Sequence, residues 1–519
     1  MELRKSEERS ILKSKSIVFI LLIVLLISID LRFIFLDADP FPYSAFGATW
    51  VDEGPYAHNA RNYALFGYWK LENDQWNPMY ISPIHTYLEL IFFRIFGVST
   101  FSARIVSALF GIISIIIAGF FLMRKNFNVG ALFMIFILIN PMHIAHNRIA
   151  TIESILLAFI LIIISLIIYD NKTSWFFTGL LAPVLFFSKV TSAFFVFAIP
   201  TTLLAYSLFY KSKEHFKKLG IFILGLIVSL GAWLFWLIPN FDNWRYMNFE
   251  IYGGRIGINL IEVGVIIMRT FEFFLLNPLL VLMSLAIIIY LYSEIRKKNR
   301  IEFIEAFLVI ALIIFLLQII FTDYSLARFV LLVPILALSS AKFISKIERS
   351  ELVINGTHFK FKAIFAILIV LLYAIISAAQ LLPFYVDMIK DDNAFVIKSN
   401  SEEVGELIPP NSKVYGNQAS PLSLENKIMP YHGNYLDKIH NSEDNILPLL
   451  VNGQIDYALL KENIFDEADL KEQDKDLDLS KVYKYIRDNF EIVKEIQSKH
   501  SRTNEPDKKY IYKRINLTA

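Results

Sequence analysis

Apolar residues in this chain gather into long, nearly uniform runs separated by short polar segments. Runs of roughly 14 to 21 residues fall at 17–35, 103–123, 128–141, 153–169, 174–188, 190–210, 219–238, 276–293, 303–321, 327–344 and 363–382, near the length a helix needs to cross a bilayer. About eleven transmembrane helices are expected. Residues 82–97 carry Glu89 and Arg94, and residues 260–275 carry Glu262, Arg269 and Glu272, so both predict juxtamembrane helices lying on the outer face. After about residue 384 the pattern turns polar: PPNSKVYGN, QIDYALL and KKYIYKRI read as strands, SEEVGELI and KVYKYIRDNF as helices. The expected fold class is mainly α, a polytopic helical membrane domain over residues 1–383 followed by a small soluble α/β domain over residues 384–519.

Composition agrees: 55% of residues are hydrophobic, 46 are Phe, and mean hydropathy is +0.51, too apolar for a soluble globular chain. The net charge of +2 shows no basic excess of the kind that binds nucleic acid. With no cysteine, thiolate chemistry, Cys-ligated zinc and iron–sulfur clusters are excluded. The run at 17–35 follows a basic flank and precedes no small-residue cleavage site, so it reads as a retained span.

Alternate loops differ in charge. Arg4, Lys5, Arg9, Lys13 and Lys15, then Arg124 and Lys125, Lys172, Lys211 to Lys218, Arg296 to Arg300, and Lys342 to Lys362 fall on one side. That side is cytoplasmic by the positive-inside rule. The acid-rich loop 36–82 and, with an odd number of spans, the C-terminal domain then lie outside a cell membrane. The short runs ending at Pro141 and Ser188 predict an outward cavity floored by residues 141–153 and 188–192.

The outward loops hold the candidate chemistry. Asp52 and Glu53 stand side by side in WVDEGPYAHNARN. Two readings fit them: a general base near a partly apolar cavity, or a helix N-cap followed by a first-turn acid. NPMHIAHNRIATIES supplies His143, His146, Arg148 and Glu153. His143 and His146, with His85 as a third ligand, are a metal set whose spacing does not separate it from ordinary interfacial histidines. Arg148, Lys189 in SKVTS, Arg255 in EIYGGRIG and Arg328 in TDYSLARF are the candidate cations for a phosphate, each with a plain alternative as a snorkelling or solvated side chain. His58, Arg61, His85, His146, Glu153, Asp323 and Tyr324 are the candidates for the acceptor or sugar side.

DEGPYAHNARN, then SPIHTYLELIFFRIFGVSTFSARIVSALFG, NPMHIAHNRIATIESILLAF and SKVTS together resemble the GT-C integral-membrane glycosyltransferases of the protein O-mannosyltransferase and aminoarabinose transferase superfamily. The resemblance implies inverting transfer of one sugar from a polyprenyl or dolichyl phosphate on the outer face. It implies that Asp52 is the base and Glu53 the second acid, with Arg148 and Lys189 facing the lipid phosphate. Aminoarabinose transferases carry Glu-Lys-Pro in the first loop where this chain has Ile81-Ser82-Pro83.

The expectation is an inverting glycosyltransferase whose partners are a polyprenyl- or dolichyl-phosphate sugar donor, a protein, glycan or lipid acceptor, and membrane lipids. A divalent cation is compatible with this set and not required by it. The competing class is a polytopic secondary transporter or flippase of a lipid-linked or small anionic substrate. Such folds are built from internal repeats, and the sequence shows none.

Overall fold

The apolar runs are largely helical, but those at 128–141, 276–293 and 327–344 cross from one helix into the next. The computed structural model describes residues 2–47, 50–74, 76–250, 260–297, 301–321, 326–349, 353–354, 357–358, 361–390, 392–433, 443–461, 465, 480–499 and 506–515. In chain order the helices are α1 (Glu2–Phe33), α2 (Tyr43–Phe46), α3 (Glu53–Phe66), α4 (Pro83–Phe96), α5 (Thr100–Lys125), α6 (Phe127–Leu138), α7 (Pro141–Asn147), α8 (Ile152–Tyr169), α9 (Lys172–Ser188) and α10 (Ala193–Phe209). They continue with α11 (Lys213–Arg245), α12 (Leu260–Leu276), α13 (Pro278–Arg296), α14 (Phe303–Phe321), α15 (Leu326–Phe329), α16 (Val333–Arg349) and α17 (Phe361–Lys390). Among the described residues seven helices are long and apolar enough to cross a membrane, or up to eight if the bent pair α6–α7 is one span, and α14 holds a shorter apolar helix.

Polar residues at the run ends fix the helix starts. Ser99 and Ser102 form a reciprocal capping box at α5, and Asn171 and Ser174 do the same at α9, satisfying amides that would otherwise be orphaned. Between α6 and α7 the chain bends by 62°. Pro141 cannot donate to the helical ladder there, and Asn140 takes over the end of the break. Its side chain accepts from His143 N at 2.9 Å and donates to Asn277 Oδ1 at 2.8 Å and to the Tyr373 hydroxyl at 2.9 Å.

Where helices cross most closely the side chains are absent. A Cβ built on Gly179 of α9 would stand 2.1 Å from Phe222 O of α11, and one on Gly225 of α11 would stand 2.2 Å from Phe176 O of α9. This reciprocal pair is the small-residue contact by which membrane helices approach each other without a hydrophobic driving force. One large apolar core, running from Leu21 through Phe136, Leu157, Phe194 and Phe315 to Leu338, joins these helices.

Beyond α17 come α18 (Val396–Leu407), α19 (Glu443–Val451) and α20 (Ser480–Asn489). Two-residue strands β1 (Val353–Ile354) and β2 (Thr357–His358) form a small hairpin before α17. The strands after α17 are β3 (Lys413–Gly416), β4 (Met429–His432), β5 (Tyr457–Lys461), β6 (Phe490–Lys499) and β7 (Pro506–Arg514), in the order β4-β3-β5-β7-β6. β3 is parallel to both β4 and β5, whereas β7 is antiparallel to β5 and β6. Helices cover both faces, so the central β5 is buried along Tyr457 to Leu460 and reads as a continuous apolar run. Ile446, Leu450, Val482 and Ile486 pack one face; Ile397, Val404, Ile428 and Trp50 pack the other. Trp50 comes from the segment just before α3, so the membrane domain contributes to the core of the α/β layer.

Candidate functional site

A short 3-10 turn, Trp50–Asp52, leads into α3. With Trp50 buried in the α/β core, the turn is held firmly and Asp52 projects from it as an exposed side chain. Asp52 occupies the N-cap position of α3 without a capping hydrogen bond from its side chain. Glu53 points the other way. It is 2% exposed and accepts from Arg104 Nε at 2.6 Å, from Arg104 Nη2 at 2.7 Å and from Ala150 N at 2.8 Å. Arg104 also donates to the carbonyls of Leu36 (2.9 Å) and Ala38. A bidentate, buried pair of this kind fixes orientation as well as charge.

The next residue, Gly54, touches the α/β layer directly. A Cβ there would lie 1.9 Å from Ser420 O, inside any van der Waals limit. His58 and Arg61 follow on the same helix, both buried. His58 Nε2 lies 2.7 Å from Asp74 Oδ2. Arg61 donates to the carbonyls of Ser423 (2.8 Å), Asn426 (2.9 Å) and Ile428 (2.9 Å). Thr100 N donates to Glu425 Oε1 at 2.7 Å, and the Tyr431 hydroxyl donates to Glu72 O at 3.0 Å. The 418–431 segment is thus clamped across α3 and the start of α5.

A second group of polar side chains gathers behind Glu53. Ser82 at the N-cap of α4, and His85 and Glu89 four residues apart on one face of the helix, are all buried. His85 Nδ1 is 3.4 Å from Glu89 Oε2, a contact that is not a hydrogen bond. Burial pushes His85 down to about 4, with Lys189 adding to the effect and Glu153 opposing it. Burial also raises the Glu89 carboxyl well above the ordinary range, and the neighbouring Glu53 charge raises it further. At the break between α9 and α10, Lys189 forms an ion pair with Glu153 from the first turn of α8 and lies 3.5 Å from the Tyr56 hydroxyl. His146 is buried beside them.

The other predicted positions are dispersed. Arg148 is buried, and its terminal nitrogens donate to the carbonyls of Leu31 (3.0 Å), Ile34 (2.8 Å) and Phe35 (2.7 Å), where the end of α1 presents unsatisfied acceptors. His143 Nδ1 faces the Arg32 guanidinium at 3.1 Å. Arg328 is half-buried on α15. Arg255, Asp323 and Tyr324 lie outside the described residues. Among the described residues no three His, Asp or Glu side chains are gathered as a metal-holding group.

Sequence reading passed over Arg104, Asp74 and Glu89 as site members. The signal for Arg104 was present: a single cation in the otherwise apolar STFSARIVSALF needs a buried partner.

Residues 80–237 match the dolichyl-phosphate-mannose-protein mannosyltransferase family. They include His85, Glu89, Arg104, Arg148, Glu153 and Lys189, and they begin after Asp52. Among solved structures, ArnT from Cupriavidus metallidurans bound to undecaprenyl phosphate is 14% identical, with a TM-score of 0.59 over 97% of this chain and 98% of that one. The same protein in the apo state gives 15% identity and a TM-score of 0.58 over 98% of each chain. The Archaeoglobus fulgidus oligosaccharyltransferase tethered to an acceptor peptide is a looser likeness, 14% identical, with a TM-score of 0.49 over 96% of this chain and 74% of that one. No curated protein sequence gives a significant match. The family match over residues 80–237 and the likeness to ArnT along nearly the whole chain show a polytopic helical membrane protein with the ArnT fold.

Proposed function

We propose that this chain is an inverting glycosyltransferase that moves a sugar from a polyprenyl or dolichyl phosphate to an acceptor hydroxyl on the outer face of the membrane. The observation that carries the reading is the division within the acidic pair. Glu53 is consumed by Arg104 and the Ala150 amide, whereas Asp52 projects from a rigid turn at an exposed surface. In the proposed step Asp52 takes the proton of the acceptor hydroxyl and the oxygen attacks the anomeric carbon from the face opposite the phosphate. The bond from that carbon to the phosphate oxygen breaks, and its electron pair leaves with the phosphate.

Lys189 is the proposed counter-charge for that phosphate, with Arg255 and Arg328 as further proposed cations. Arg148 contributes field rather than hydrogen bonds, since both terminal nitrogens are engaged by main-chain carbonyls. The bound undecaprenyl phosphate of the ArnT structure supports a lipid-phosphate donor. His58, Arg61, His85, His146, Glu153, Asp323 and Tyr324 remain the proposed acceptor and sugar side. For His58 and Arg61 the contacts make that role indirect, through the 418–431 segment of the α/β domain at residues 384–519. In this reading the N-terminus is cytoplasmic and the α/β domain extracytoplasmic.

Asp52→Asn should leave the protein folded and lower transfer from a panel of polyprenyl-phosphate sugars by about 10² to 10⁴. Wild-type transfer rates in that variant would refute the assignment.

A further inference from the structure

Among the described residues no hydrogen bond accounts for the Glu89 carboxyl. It is 0% exposed, among the described residues neither of its oxygens has a hydrogen-bond partner, and the side chain it meets at ion-pair distance is His85, with Nδ1 3.4 Å from Oε2. His85 Nε2 on the same face of α4, and Ser82 Oγ at its N-cap, are buried and without a hydrogen-bond partner among the described residues as well. Buried polar atoms in folded proteins are nearly always paired, because stripping them of water without a replacement is unfavourable. Three such residues in one stripe, at spacings of three and four, are not an accident of packing. They adjoin both halves of the proposed site: the Glu53–Arg104 pair on one side, Glu153 and Lys189 on the other.

The charge state of this stripe defines what it recognises. Glu53 already carries the negative charge here and is compensated by Arg104. Lys189 is compensated by Glu153. A second anion at Glu89 would have no counter-ion, so its carboxyl is held protonated, and burial likewise keeps His85 neutral. A neutral carboxylic acid offers one donor and several acceptors, and a neutral imidazole offers one of each. That pairing complements a hydroxyl group, which both donates and accepts. It is a poor match for a phosphate, which has no proton to give to the carbonyl oxygen and needs cations.

We propose that Glu89, with His85 and Ser82, binds hydroxyl groups of the sugar carried by the lipid donor and so discriminates the glycosylated lipid from the bare lipid phosphate. This inference rests on the transferase reading above. Glu89 is a binding residue that keeps its proton throughout; no bond to it is made or broken.

The test uses the purified full chain in detergent, with bare undecaprenyl phosphate and its mannosyl, glucosyl and arabinosyl forms as probes, and lipid affinity read by native mass spectrometry. Wild type should bind at least one sugar-bearing lipid more tightly than the bare lipid. Glu89→Leu should cost about tenfold in affinity for that lipid while leaving the bare lipid within about twofold. Glu89→Gln, a neutral isostere, should retain sugar recognition to within about threefold. Because the leucine removes an unpartnered polar group, it should also raise the apparent melting temperature by about 2 °C.

Equal losses on bare and sugar-bearing lipid in Glu89→Leu would overturn the inference, as would a fall in melting temperature. So would a Glu89→Gln variant as defective as the leucine, which would point to an ionised carboxylate and a cationic ligand. Wild type that binds none of the four lipids would overturn the transferase reading itself. Wild type that binds them while Glu89→Leu changes nothing would overturn this inference alone.

Discussion

Removing the Glu53 carboxylate should unfold the site rather than slow its chemistry. In Glu53→Ala the Arg104 guanidinium stays buried and keeps the carbonyls of Leu36 and Ala38, but loses both bonds to the carboxylate. The Ala150 amide loses its acceptor too. Breaking one partner of a buried ion pair costs about 3 to 5 kcal/mol, most of it the burden of the uncompensated charge. At about 2 °C per kcal/mol, the lower end of the usual conversion for large domains, the apparent melting temperature should fall by about 6 to 10 °C. Asp52→Asn, at an exposed position one residue away, should shift it by about 1 °C or less. Both variants are measured in detergent by scanning fluorimetry at one fixed scan rate, because irreversible unfolding makes the midpoint rate-dependent.

A Glu53→Leu/Arg104→Met double variant sharpens the comparison. Replacing both charges with apolar groups should recover a good part of the loss, since a desolvated pair contributes little net stability over a well-packed apolar one. The outcome that sinks the division of labour is the reverse pattern. If Glu53→Ala melts at the wild-type temperature yet transfers no sugar, Glu53 is the chemical group and the pair has been split the wrong way.

The remaining predictions concern neighbouring contacts. Lys189→Glu/Glu153→Lys should keep the ion pair and the fold but lose donor use, whereas Lys189→Ala should raise the donor KM roughly tenfold; an unchanged KM in both removes Lys189 from the phosphate. Arg61→Ala abandons three carbonyls, and Gly54→Ala drives a methyl into Ser420 O, so each should loosen the α/β domain and speed its limited proteolysis relative to wild type. Equal digestion rates would show that α3 does not anchor that domain. Glu89 has its carboxyl raised on folding, so the folded chain holds a proton the unfolded chain releases above its ordinary carboxylate value. Its contribution is therefore present at low pH and lost as pH rises, and the melting-temperature advantage of Glu89→Leu should widen from pH 5 to pH 8. A constant difference across that window would mean that Glu89 does not change protonation on folding.

Much of the architecture was legible because membrane helices announce themselves. The GT-C resemblance drawn from four motifs holds for the fold, and the short run ending at Pro141 marked where α6 stops, though not the bend into α7. Three strands of the α/β layer were also readable. β4 was not, since Pro430 sits inside it and proline argues against a strand; β6 was not, since it follows α20 with no turn residue to mark the change. Within the site, the acidic pair was visible as a pair but its division was not. Arg104 stands 51 residues from Glu53, and no local pattern says which acid it takes. His58 and Arg61 looked like ligand groups for the same reason: a polar residue on an apolar helix declares that it has a partner, not where the partner lies.

The clamp over α3 also sets a clock on synthesis. The Ser423 carbonyl that receives Arg61 comes 362 residues after it in the chain. At about 5 to 20 residues per second, translation would take roughly 20 to 70 s to deliver it after Arg61 has emerged. For that interval the helix bearing the acidic pair is exposed on its Gly54 face and lacks its final partners. In the proposed reading, transfer waits until that segment has been made, so a late part of the chain closes an early one.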